Sequence, residues 1–482
     1  MGCTALRNKW LLILLFCSLV VNGRELSWNW WPTGLRDGVA AGEDTLRYSL
    51  GVSAVASSGK TAPFWLQSNR FGDVSSSPYS GNLSAGVYKE AVHPERWWDY
   101  DFAVRMTGRL QSRINPADRL GTGYFNMLYA HVRLLFFDVT AGIKPQYWGA
   151  GDAELSSGSL LFSNNAHPVP RISIGIDRWT PIPGLFGYAE VKGGLTHAWA
   201  NDNSEVVKGT LIHHKYIGGR VGGKLPVNIS YEFHHAAQWG GYSSVYGDLG
   251  NDLHAFKTAF LVQSGGSMAN DQINAQGNHI GFQQLALDVK GEGWKVSAYW
   301  QAMNEDGPIR FIGFGMNNKD GLWGISATQN RWPFIQGVTY EFLNTTDQSG
   351  PFHDKDGCVY GGADSYYNNA IYRQGWSYYG RIIGTPLLGL DNSRVMAHHV
   401  GIRGDVFGFR YRVMATHAQN FGHYYVPLRS YNTAVLLEVK KIVPQAWNLE
   451  FGIALGGDFG TQFGNQFGAQ ISICKKGILT QW

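Results

Sequence analysis

Leu285-Ala286-Leu287-Asp288-Val289-Lys290-Gly291-Glu292-Gly293-Trp294-Lys295-Val296-Ser297-Ala298-Tyr299-Trp300-Gln301 is the stretch on which the fold turns. Leu285, Leu287 and Val289 alternate with Ala286, Asp288 and Lys290. After Gly291-Glu292-Gly293, Trp294, Val296, Ala298 and Trp300 alternate with Lys295, Ser297, Tyr299 and Gln301. Successive side chains leave an extended backbone on opposite sides, so a period of two marks strands with one apolar and one wet face. The segment reads as a hairpin.

The pattern recurs. Phe102, Val104, Met106, Gly108 and Leu110 alternate with Ala103, Arg105, Thr107, Arg109 and Gln111. Val227, Ile229, Tyr231 and Phe233 alternate with Asn228, Ser230, Glu232 and His234. Phe407, Phe409, Tyr411, Val413 and Ala415 alternate with Gly408, Arg410, Arg412, Met414 and Thr416, and a further run starts at Trp447. Such runs of about nine residues approach the roughly 9–11 that carry a tilted strand across a bilayer. Their polar faces hold Arg, Lys and Glu, as a water-filled interior requires. Their apolar faces often begin or end in aromatic residues, as strand ends at the headgroups do. A soluble β-protein would alternate too, and is the competing reading.

The start of the chain favours the membrane. Arg7 and Lys9 precede an apolar block from Trp10 to Val21. That length suits a secretory signal core and falls short of the roughly 20 residues of a spanning helix. Residues 1–23 are therefore expected to be a signal peptide, residues 24–44 an N-terminal extension, and residues 45–482 the barrel. No later apolar run reaches helical spanning length. In hydrocarbon an unpaired backbone group costs several kcal/mol, so an exported chain that spans with strands has to close them into an antiparallel transmembrane barrel. The fold class expected is all-β. Irregular segments at Gly59–Gly81, Trp148–Pro170, Asp202–Lys215, Gly240–Asp252, Gly265–Gly277, Asn304–Asp320 and Asp347–Asn369 read as loops or interior constrictions.

Composition narrows the function. With Arg7 and Lys9 removed, 38 cationic side chains stand against 36 acidic ones, which argues against nucleic acid as a partner. Cys3 and Cys17 leave with the signal, and Cys358 and Cys474 read as two unrelated thiols. Neither a nucleophile elbow, a zinc helix nor a phosphate loop occurs, so no reaction, cofactor or metal is expected. Asp354-Lys355-Asp356-Gly357 reads as a turn. The pairs His213-His214, His234-His235 and His398-His399 put their members on opposite faces of a strand, which leaves them as structural or pore-lining groups. Carbohydrate contact fits better. Trp148, Asn164, Asn165, Tyr366, Tyr367, Asn368 and Asn369 offer rings for sugar faces and amides for hydroxyls.

The run Gly142-Ile143-Lys144-Pro145-Gln146-Tyr147-Trp148-Gly149-Ala150-Gly151, with Leu155-Ser156-Ser157 and Ser163-Asn164-Asn165-Ala166-His167-Pro168-Val169-Pro170, resembles the signature region of the Wzi capsule-assembly family. Ser58 to Gly72, Tyr366-Tyr367-Asn368-Asn369, Gly375 to Gly380 and Ile383-Gly384-Thr385-Pro386-Leu387 resemble members from Bacteroides-like bacteria. The likeness runs from about Tyr48 to the end. It implies an outer-membrane barrel of about 18 strands (16–18) that acts as a lectin and tethers capsular or exopolysaccharide to the cell surface. Outer-membrane lipid and the polysaccharide export machinery are further expected partners. Enterobacterial members also carry a small helical segment. No amphipathic helix is evident here, although a small N-terminal or interior plug is compatible with the pattern. Trp148, Asn164 and Asn165 on the signature are candidate sugar contacts. Arg105, Arg109, Arg410 and Arg412 are candidate inward-facing partners for an acidic polymer. The alternative function is a diffusion channel for small polar or acidic solutes.

Overall fold

The computed structural model describes residues 43–93, 96–113, 115, 118–202, 204–263, 277–304, 320–352, 355–356 and 362–482. The expected signal peptide, all of the N-terminal extension but Glu43 and Asp44, and Cys358 lie outside the described residues. Most of the irregular segments at 265–277 and 304–320 do so too.

The chain opens with β1 (Thr45–Ser57), β2 (Tyr79–Lys89), β3 (Trp98–Gln111), β4 (Gly123–Leu134), β5 (Phe137–Ile143) and β6 (Arg171–Pro181). It continues with β7 (Ala189–Trp199), β8 (Leu211–Val221), β9 (Val227–Trp239), β10 (Asn278–Gly291), β11 (Trp294–Asn304) and β12 (Gly321–Gln329). It ends with β13 (Gly337–Asn344), β14 (Val395–Val406), β15 (Phe409–Gly422), β16 (Pro427–Val443), β17 (Leu449–Gly460) and β18 (Gln466–Gln481). These 18 strands form one sheet in which each pairs antiparallel with its sequence neighbours. β1 pairs with β18, from Thr45 opposite Gln481 to Ser57 opposite Gly468, and the sheet closes. Closure leaves no edge with open backbone groups, which hydrocarbon demands.

The barrel wall is inverted relative to a soluble protein. Leu50, Val52, Leu83, Met106, Ile174 and Ile217 point outward and are exposed, while Ser49, Ser84, Thr107, Arg109 and Glu232 point inward and are buried. An apolar outer face of this extent is stable only in lipid. The connections at 90–97, 135–136, 182–188, 222–226, 292–293, 330–336, 407–408 and 444–448 are short and share one end, the periplasmic end in barrels of this class. The other end holds the long loops. Exposed Trp97, Phe136, Phe186, Trp332, Phe407 and Trp447 ring the short-turn end at headgroup level. Phe407 and Trp447 read from sequence as strand residues, but both sit in turns. Phe407 (φ 54°) and Gly408 (φ 77°) are both left-handed, the backbone of a two-residue hairpin turn matched to strand twist.

Among the described residues, two short α-helices interrupt the loops. α1 (Phe64–Gln67) lies inside the barrel, where Trp65 and Leu66 pack against Met414, Leu436 and Ala454. α2 (Leu253–Leu261) lies on the outer wall, covering the outward-facing His213 and Trp239 with Phe256 and Ala259. Asp252 caps it, its Oδ1 accepting from the Ala255 amide at 2.8 Å. This corrects the expectation of no amphipathic helix. The element has two turns, and its buried face is mostly Ala255, Thr258 and Ala259, too mild a stripe to stand out.

Candidate functional site

Inside the long-loop end, loops fold into the lumen instead of away from it. Residues 144–170 and 362–394 supply Leu160, Leu161, Tyr367, Trp376 and Ile383, which form one apolar cluster with inward wall residues such as Ile212, Phe282 and Leu343. Trp376 is 0 % exposed, as deep as any core side chain. A buried loop must satisfy its own backbone. The Trp376 indole donates to Leu161 O at 2.8 Å, the Asn165 amide donates to Ile382 O at 2.9 Å, and the Ser163 N–H donates to Ile383 O at 2.8 Å. Gly384 is required where these loops meet, because a Cβ there would lie 2.1 Å from Tyr367 Oη and 2.3 Å from Leu160 O.

Charges fasten this plug. Glu341 on β13 accepts from Ser156 Oγ (2.7 Å), Ser157 N (2.6 Å) and Tyr299 Oη (2.6 Å). Arg381 donates to Gln67 O (2.8 Å), Val74 O (2.7 Å) and Asp118 Oδ2 (2.9 Å), tying three loops together. Asp152 pairs with Arg403 at 2.9 Å. Beside it, burial and the Asp152 charge push Glu154 up to about 7 against the pull of Arg403 and Arg412.

Below the plug lies a cavity of about 400 Å³. Its lining includes Arg70, Arg105, Lys144, Arg412, Lys440 and Lys476 together with Asp73, Glu154, Glu438 and Glu450. Glu438 is shared by Arg70 at 3.1 Å and Arg412 at 2.7 Å. Burial raises the Asp73 carboxyl above its usual range, though Arg105 and Arg109 pull it down. Fixed cations and carboxylates in a confined space suit recognition of sugar hydroxyls and acidic groups.

The seven candidate residues divide. Arg105, Arg412 and Asn164 come together on the cavity wall, with Arg105 donating to Ser84 Oγ at 3.2 Å. Arg410 stands beneath them, ion-paired with Glu450 of the same wall. Arg109 is buried against loop 58–78, donating to Asp73 O at 2.8 Å and Tyr124 Oη at 2.7 Å. Trp148 is packed among Tyr216, His234 and His214 at centroid distances of 4.5, 5.2 and 5.6 Å. Asn165 is enclosed in the plug. Tyr366 and Tyr367 are plug core, Tyr366 donating to Asp320 Oδ2 at 2.9 Å. Sequence reasoning missed Arg70, Lys144, Glu438 and Lys440. Glu438 and Lys440 alternate with Leu437 and Val439 and carried the same period-two signal. Arg70 and Lys144 converge only through loop folding. Among the described residues, no group of three or more His, Cys, Asp or Glu is arranged to hold a metal. Cys474 is a free thiol.

The sequence model of the family described as Capsule assembly protein Wzi matches residues 63–454, a span that takes in every plug segment. The chain belongs to the Wzi family. Among solved structures, this Wzi-family barrel is similar to Wzi, an outer membrane protein involved in group 1 capsule assembly in Escherichia coli and a carbohydrate-binding β-barrel. The match has a TM-score of 0.57 at 16% identity, over 90% of this chain and 85% of that one. A BenF-like porin from Pseudomonas fluorescens Pf-5 aligns with a TM-score of 0.50 at 10% identity, over 90% of this chain and 99% of that one. At these identities the likeness is one of fold. No curated protein matches the sequence. As a member of the Wzi family with an apolar belt and aromatic girdle, the barrel resides in the outer membrane.

Proposed function

We propose that this barrel is a lectin that binds capsular or exopolysaccharide and holds it at the cell surface without transforming it. The observation that carries this reading is the plug. Loops buried as deeply as the core and fastened by buried charges favour holding a polymer over passing solutes, which weighs against a diffusion channel. Family membership in capsule assembly and the charged cavity under the plug add support. In this reading Arg105, Arg412 and Asn164 contact the polymer from the cavity wall. Trp148, Asn165 and Arg109 hold the loops in shape, outer-membrane lipid covers the belt, and the export machinery delivers the polymer.

The test is direct binding of the purified barrel to polysaccharide isolated from the source strain, followed by calorimetry. Binding is expected, weakened several-fold by Arg105→Gln with the fold intact; no binding by the unaltered protein contradicts the reading. Screens on lipid and glycan substrates test the absence of a reaction, and turnover of either would replace it.

A further inference from the structure

Trp179 belongs neither to the plug nor to the cavity beneath it. In β6, Ile176 faces Gly193 of β7 and Thr180 faces Val191, so Asp177, Arg178 and Trp179 together oppose Lys192 alone. A bulge of this kind re-aims side chains and is over-represented at barrel rims and beside functional sites. Here it turns Trp179 into the lumen near the short-turn end, across Gly218 of β8. A Cβ at Gly218 would sit 3.0 Å from Trp179 Cη2 and 3.0 Å from Glu232 Cγ, so the missing side chain makes the indole's seat.

The surroundings are polar. Lys192 Nζ lies 4.7 Å and Arg220 Cζ 5.1 Å from the indole centre. Lys192 pairs with Glu232 at 2.6 Å and Arg220 pairs with Glu190. Trp179 is only partly buried and joins none of the apolar clusters among the described residues. A lipid-girdle role is excluded because the ring points inward. A core role is excluded because its neighbours are charges. A ring face beside paired carboxylates and cations matches a pyranose, whose C–H face lies on the indole while its hydroxyls bridge donor and acceptor.

We propose that Trp179, with Glu190, Lys192 and Arg220, is a subsite for one pyranose unit on the lumen wall below the plug. It rests on the polysaccharide-binding reading and adds a station on the periplasm-facing side of the barrel.

The purified barrel is titrated with size-fractionated oligosaccharides cut from the source strain's own surface polysaccharide, and with the intact polymer. Trp179→Ala is expected to weaken oligosaccharide binding by about five- to tenfold and Trp179→Phe by less. Gly218→Ala, which crowds the indole, should weaken it with every aromatic retained. Thermal unfolding confirms that each variant is folded; if Trp179→Ala does not fold, Trp179→Phe and Gly218→Ala decide. Unaltered protein that binds while the folded variants bind equally well overturns the subsite alone. Unaltered protein that binds neither polymer nor oligosaccharide overturns the lectin reading and the subsite with it.

Discussion

Two side chains show how the signature loop is held. Glu341 gathers four donors, Ser156 Oγ, Ser157 N, Ser157 Oγ and Tyr299 Oη. Glu341→Gln turns half of that acceptor set into a donor and removes the charge. It should loosen residues 144–170 by about 1.5–3 kcal/mol, read as faster amide exchange at Ser156 and Ser157 with the strands unaffected. His167 on the same loop bonds Phe125 O through Nε2 at 2.8 Å. Burial holds its imidazole down to about 4, below the ordinary 6.5, so the opened loop takes up the proton more readily than the packed one. The stability it lends is present above pH 6.5 and is lost as pH falls from there towards 4. Protection of the loop against exchange should fall across that window in the unaltered protein, and His167→Gln should flatten the fall. A profile unchanged by His167→Gln contradicts the assignment.

At the level of elements, the strands were legible and the loops were not. Leu285 to Gln301 folds as read, with Glu292–Gly293 turning β10 into β11 in register from Gly291 opposite Trp294. Lipid and lumen impose period two on every spanning strand, so the pattern is written locally. Arg105 and Arg412 could be placed in the lumen for that reason. The burial of Trp148, Asn165 and Tyr367 could not, because nothing local separates a loop that folds into a barrel from one that leaves it. The deciding contacts, such as Trp376 to Leu161, join residues far apart in sequence. Likewise α2 is too short for its period to rise above the surrounding loop. The outward face makes its own prediction. Ile217→Arg, in the middle of β8, should cost about 2–4 kcal/mol in folding into lipid vesicles if its site lies near the bilayer midplane. A cost near zero would mean that this face is not in lipid.

The whole molecule joins a closed cylinder to a fixed plug. The purified barrel in planar bilayers should be silent. Replacing residues 365–388 with a short glycine-serine linker should open stable conductance, since β13 and β14 pair with each other without those residues. Conductance by the unaltered barrel would restore the channel reading. The central claim, that the barrel holds polymer at the surface, is tested most directly in the cell. Deleting the gene and measuring cell-bound against released polysaccharide should show total synthesis unchanged and the polymer shifted into the medium. Cell-bound polymer at the unaltered level in the deletant would contradict it.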